Sequence, residues 1–141
     1  MTTKQSIISN SSRGGFNKGR RVCVVGGGIG GLTAALAFAR GGADVEVYEQ
    51  AEALTEVGAG IQITPNGTRA LVALGLEAAL ADAGLEAQAV EPTDALTGQR
   101  IARFDLGDLD GPPYRFFHRA DLIDVLADAC RVAGVLSLIH I

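Results

Sequence analysis

Arg21-Val22-Cys23-Val24-Val25-Gly26-Gly27-Gly28-Ile29-Gly30-Gly31-Leu32 is the stretch on which the fold of this chain turns. Arg21 to Val25 is short, β-branched and apolar, as a buried parallel strand requires. A glycine cluster follows at once. Ile29 to Arg40 is then rich in Ala and Leu and apolar nearly all round, which predicts a buried helix stopped by Gly41-Gly42. Asp44-Val45-Glu46-Val47-Tyr48-Glu49 alternates and reads as a second strand. Strand, helix and strand in so short a span make a βαβ unit, with a right-handed crossover expected.

The glycines carry a spacing. Gly26-x-Gly28-x-x-Gly31 lies between the expected strand and helix. In such a turn the first Gly makes the tight bend, the second lets backbone approach a pyrophosphate, and the third lets helix pack on strand. A diphosphate would sit at the positive helix N-terminus. Ala35 and Gly42 continue the small-residue spacing, and Glu49 ends the second strand eighteen residues after Gly31. A carboxylate there can accept hydrogen bonds from an adenosine ribose. Gln50-Ala51 follows it, with no Arg for a 2′-phosphate, so FAD or NAD is expected rather than NADP. A glycine-rich turn that binds nothing would share these four features only by coincidence.

The chain has 141 residues, 48% hydrophobic and 20% charged, which suits one domain or part of one and excludes a disordered chain. A net charge of −4 and no basic stripe argue against nucleic acid as a partner. Two cysteines exclude a disulfide scaffold and point to a cytoplasmic rather than a secreted protein. Residues 22–39 are an uncharged run of eighteen after Arg20-Arg21, superficially like a signal peptide or short membrane span. Five glycines at its centre oppose a continuous helix, so no membrane association is expected. Residues 1–20 are rich in Ser, Asn and Gly and read as a flexible tail.

Further on, Ile61-Gln62-Ile63 reads as a short strand, and Thr64-Pro65 as the N-cap and first turn of a helix running to about Leu74. A second helix is expected from about Leu76 to Ala83. Residues 87–105 read as a hairpin turning near Thr97-Gly98, and Gly107 to Pro113 as a polar loop. Tyr114 to Phe117 reads as a strand. Arg119 to about Ala133 reads as an amphipathic helix, with Asp121, Asp124, Asp128 and Arg131 on one face and Leu122, Ile123, Leu126, Ala129 and Cys130 on the other.

Three segments together resemble one family. Val24-Val25-Gly26-Gly27-Gly28-Ile29-Gly30-Gly31-Leu32 with Tyr48-Glu49-Gln50, then Gly58-Ala59-Gly60-Ile61-Gln62-Ile63-Thr64-Pro65-Asn66-Gly67-Thr68-Arg69-Ala70-Leu71, then His118-Arg119-Ala120-Asp121-Leu122 stand in order and spacing. They are similar to the FAD-dependent aromatic hydroxylases, the single-component flavoprotein monooxygenases that include salicylate hydroxylase. The resemblance runs from residue 21 to about 135. It implies that Glu49 binds the adenosine ribose, that Arg119 reaches the cofactor's phosphate and ribityl region, and that Gly60 and Gln62 pass near the FAD. It also implies a parent enzyme that hydroxylates a small aromatic substrate with FAD, O2 and NADH or NADPH as electron donor. Arg119 opens a helix, where a cation is disfavoured by the dipole, and an anionic phosphate is one reason for it to be there. A surface pairing with Asp121 or Asp124 is the blander alternative.

The implied fold class is α/β: the N-terminal part of a Rossmann-like FAD-binding domain, a βαβ unit plus helices and a β-hairpin, incomplete. Two later family signatures, an Asp-Gly and a Gly-Asp segment, do not occur here, and the last helix leads to no expected return strand. No catalytic residue and no metal site are assigned. Cys23 and Cys130 read as small buried hydrophobes, His118 as structural, and Asp108 and Asp110 as solvated loop carboxylates. Leu136-Ser137-Leu138-Ile139-His140-Ile141 translates CTG TCT CTT ATA CAC ATC, the transposon end of tagmentation libraries. Residues 136–141 are therefore expected to be adapter read-through, with a real terminal strand of apolar residues as the alternative, leaving 21–135 as the partial domain. The alternatives are another flavoenzyme with this front end (epoxidase, halogenase or reductase), an NAD-binding dehydrogenase module, or a truncated product that does not fold.

Overall fold

Strand β1 (Arg21–Val25) enters the glycine turn, helix α1 (Ile29–Arg40) leaves it, and β2 (Asp44–Glu49) returns parallel to β1. The register sets Val22 against Val45 and Val24 against Val47. These valines face the helices, and Val45 and Val47 are buried. This computed structural model describes residues 15–51, 59–107 and 111–139. Gly58, Asp108 and Asp110 lie outside them, as does most of the expected tail.

Beyond β2 come β3 (Gly60–Ile63), α2 (Pro65–Ala73), α3 (Glu77–Ala83), β4 (Leu85–Glu86), β5 (Ala89–Val90), β6 (Phe104–Asp105), β7 (Arg115–His118), α4 (Arg119–Val132) and β8 (Leu136–Ile139). They make a parallel sheet of order β1-β2-β8, an antiparallel sheet β3-β7-β4, and the ribbon β5-β6. The ribbon is the expected hairpin. Its turn is held by Asp94, whose carboxylate accepts from the amides of Leu96 and Thr97, with Gly98 at φ +69°.

One core joins the two larger sheets. Leu32, Ala35 and Leu36 of α1 pack with Leu122, Ile123, Leu126 and Cys130 of α4, and Leu71, Leu76, Leu80 and Phe117 extend the cluster. Each buried Leu stabilises the fold by roughly 1.5–3 kcal/mol. The polar residues of α4 lie opposite, on its exposed side, as its periodicity predicts. The Cys130 thiol donates to the Leu32 carbonyl at 3.3 Å, and burial raises its pKa.

Several expectations need correction. The last helix does lead to a strand: β8 pairs in parallel with β2, Glu46 opposite Leu136 to Glu49 opposite Ile139. A ladder is made by backbone groups, and any short apolar run can fill the open edge of β2. Cys23 is exposed, not buried. Residues 21, 23 and 25 point to the sheet face that no helix covers among the described residues, and Val25 is 83% exposed. Helix α1 is buried along one stripe only, because Ala37 and Phe38 face outward. Residues 15–20 form a turn anchored on the end of α1, the amide of Asn17 donating to Gly41 at 2.9 Å. Thr64 caps α2 by position alone, its hydroxyl meeting Asn66 instead of a helix amide.

Candidate functional site

The turn between β1 and α1 uses its three spaced glycines in three different ways. Gly26 sits at φ +101°, where a side chain is strained, and its amide donates to the Tyr48 carbonyl at 2.7 Å. The turn is thereby stitched to the end of β2. Gly31 is a contact requirement: a Cβ there would lie 1.9 Å from the Gly26 carbonyl oxygen. Gly28, the N-cap of α1, has an ordinary φ of −75°, and a Cβ on it would meet nothing within 4 Å. Neither conformation nor packing among the described residues explains this glycine. It leaves backbone open in front of a helix that has no acidic residue in its first turn. The first amides of a helix have no partner within it, and they stand at the positive end of the helix dipole.

Glu49 stands at the rim of this turn. Its carboxylate accepts from the amide of Gly27 at 2.5 Å and from that of Ala51 at 2.9 Å. These two donors, Ala51 foremost, hold its pKa below the usual glutamate value. A cleft of about 430 Å³ opens here, lined by Val25, Gly26, Tyr48, Glu49 and Gln50. A cavity of similar size, about 460 Å³, lies between α2, α3 and Pro113 and touches no residue nominated from the sequence.

A second group forms where β3 meets β7 and α4. Gly60 pairs with His118 and Gln62 with Phe116. The amide of Arg119 donates to the Ala59 carbonyl at 3.0 Å, which ties the start of α4 to the entry of β3. The Nε of Arg119 is buried. Gln62 accepts, through Oε1, a hydrogen bond from the Tyr114 hydroxyl at 2.6 Å.

The structure thus gathers Gly26, Gly28, Gly31 and Glu49 at one place and Gly60, Gln62 and Arg119 at another. Sequence reading missed the Ala51 amide, although a carboxylate bonding two residues onward is a recurrent local pattern. It also missed Tyr114, whose place beside Gln62 depends on a strand pairing 52 residues apart.

A family model described as FAD binding domain matches residues 20–139. The chain is 48% identical over 106 residues to 3-amino-4-hydroxybenzoate 2-monooxygenase of Streptomyces cremeus, covering 72% of this chain and 27% of that protein. It is 38% identical over 121 residues to 3-hydroxybenzoate 6-hydroxylase 1 of Aquipseudomonas alcaligenes, covering 83% and 31% respectively. Among solved structures, the tetrameric form of 2-methyl-3-hydroxypyridine-5-carboxylic acid oxygenase superposes with a TM-score of 0.77 at 32% identity, over 85% of this chain and 31% of that one. The chain spans less than a third of the length of these relatives.

Proposed function

This chain belongs to the FAD binding domain family, and on that premise we propose that it grips the adenosine and diphosphate of FAD for a monooxygenase that hydroxylates a small aromatic compound. The observation that carries the reading is Gly28. It is a glycine that no contact among the described residues requires, set before the N-terminus of α1, where a diphosphate would take the helix amides. Glu49, held ionised by two backbone amides, lines the cleft beside Gly26 of the same turn and has lone pairs to accept ribose hydroxyls. Gly26 shapes the turn and Gly31 brings the helix against it.

Arg119 would supply positive charge toward the phosphate and ribityl region, with Gly60 and Gln62 beside it on β3. FAD, when bound, supplies the redox chemistry, with NADH or NADPH as the electron donor and O2 as the oxidant. The residues of this chain bind and orient it. None of them is placed here as an acid, base or nucleophile. The relatives act, by their names, on hydroxylated benzoates and a hydroxypyridine carboxylate. A small hydroxylated aromatic acid is the substrate class that follows. Free thiols at Cys23 and Cys130 suit a reducing compartment such as the cytoplasm.

The test is made on the complete gene product. Purified protein is expected to carry flavin absorbance, and Glu49→Ala is expected to weaken FAD binding roughly tenfold to a hundredfold, as for a lost charge-assisted hydrogen bond. A colourless protein that takes up NAD instead would overturn the reading. An unchanged FAD dissociation constant would remove Glu49 from the site.

A further inference from the structure

We propose that Tyr114 is a positioning residue: it fixes the polarity of the Gln62 amide, so that Gln62 meets FAD as a hydrogen-bond donor. The inference rests on the reading above that Gln62 lies along the cofactor.

Strand β3 alternates between two environments. Ile61 and Ile63 pack against the core, as does Phe117 of β7, which is buried. Gln62 and its cross-strand partner Phe116 face outward, both exposed. A primary amide is ambiguous toward a ligand, since one end accepts and the other donates. Here the orientation is set. The Tyr114 hydroxyl donates to Oε1 of Gln62 at 2.6 Å. The oxygen is engaged, and the NH2 group, on the other side of the amide carbon, is left to donate. Tyr114 is itself held, its ring 5.7 Å from that of Phe116 and tilted by 51°.

The consequence is chemical selectivity. A flavin offers carbonyl and ring-nitrogen acceptors, an imide N–H donor and ribityl hydroxyls. Gln62 with a free carbonyl could serve either kind. Gln62 with its carbonyl turned to Tyr114 keeps its second lone pair on that side and presents its NH2 to acceptors.

The experiment compares wild type, Tyr114→Phe, Gln62→Ala and the double variant of the complete gene product, reading the FAD dissociation constant and the visible flavin absorption band. Tyr114→Phe is expected to weaken FAD roughly 3- to 10-fold and to shift the band, as for loss of one hydrogen bond that orients a ligand contact. Gln62→Ala should cost at least as much. Adding Tyr114→Phe to Gln62→Ala should then change neither quantity, because the two act as a unit. Gln62→Glu keeps an acceptor for Tyr114 but has no N–H, and should be no better than Gln62→Ala. If Gln62→Ala weakens binding while Tyr114→Phe moves neither readout, the positioning role is overturned and Gln62 stays in the site. Persistence of the full Tyr114→Phe effect in the Gln62→Ala background overturns it as well. Wild-type affinity and spectrum in both Gln62 variants would remove Gln62 from the site, and the proposal with it.

Discussion

The carboxylate of Glu49 accepts a hydrogen bond from the amide of Gly27 at 2.5 Å, joining the last residue of β2 to the turn that follows β1. Two parallel strands thereby present one continuous rim, on which a backbone turn and an anionic side chain lie side by side. Glu49→Gln would keep the shape and one acceptor oxygen but lose the charge. We expect it to weaken FAD binding less than Glu49→Ala, by roughly tenfold, as measured by flavin fluorescence titration of the apoprotein. Equal affinities for wild type and both variants would contradict a ribose-binding role.

The ionisation of Glu49 sets a pH dependence. Its pKa is depressed by the amides of Ala51 and Gly27, which favour the charged form. A depressed folded-state pKa adds stability above the unfolded value, and that stability is lost as pH falls through the folded value. The melting temperatures of wild type and Glu49→Gln should therefore differ at neutral pH. They should converge only below the ordinary glutamate pKa of about 4.3. A gap that closes near neutrality would point to a different group.

Gly31 separates stability from binding. Its hypothetical Cβ overlaps the Gly26 carbonyl at 1.9 Å, backbone against backbone, with no flexible atom to yield. Gly31→Ala must push α1 off the turn. Overpacking of this kind costs roughly 1–3 kcal/mol or more. We expect a clear fall in melting temperature without FAD present, measured by circular dichroism. An unchanged apoprotein melting curve would mean that the helix can move away freely.

The core makes a prediction independent of any ligand. Leu126 is fully buried between α4 and the rest of the cluster. Leu126→Ala should destabilise by roughly 2–5 kcal/mol through lost transfer energy and a residual cavity. Denaturant unfolding of the complete gene product reads this directly, and a loss below about 0.5 kcal/mol would contradict the described packing.

Much of this was legible in the sequence because local chemistry and fold agree there. The run Val22–Val25, the glycine spacing and the Ala-rich helix each require the same βαβ unit, and the helix bounds Ile29–Arg40 come out as read. The Gly26, Gly31 and Glu49 geometry followed for the same reason, since a short turn leaves few alternatives. What failed to show was set by distant partners. Cys23 looks like a core residue in a β-branched run, but its side of β1 has no helix over it among the described residues. Residues 136–139 read as an apolar strand only as the alternative to read-through, and what seats them as β8 is the open edge of β2 far back in the chain. Tyr114 reaches Gln62 only through the β3–β7 pairing, and no local pattern encodes that register.

The most direct test is FAD titration of the apoprotein of the complete gene product, wild type against Gly28→Val, with melting temperatures taken in parallel. Gly28 has an ordinary φ and, among the described residues, empty space around its missing side chain, so the variant should fold, losing only the roughly 1 kcal/mol of a poorer N-cap. If the open backbone at Gly28 receives the diphosphate, FAD affinity falls at least tenfold while the apoprotein melting temperature falls by no more than the few degrees that a poorer N-cap costs. Wild-type FAD affinity in Gly28→Val would contradict the account, because the diphosphate would then lie elsewhere.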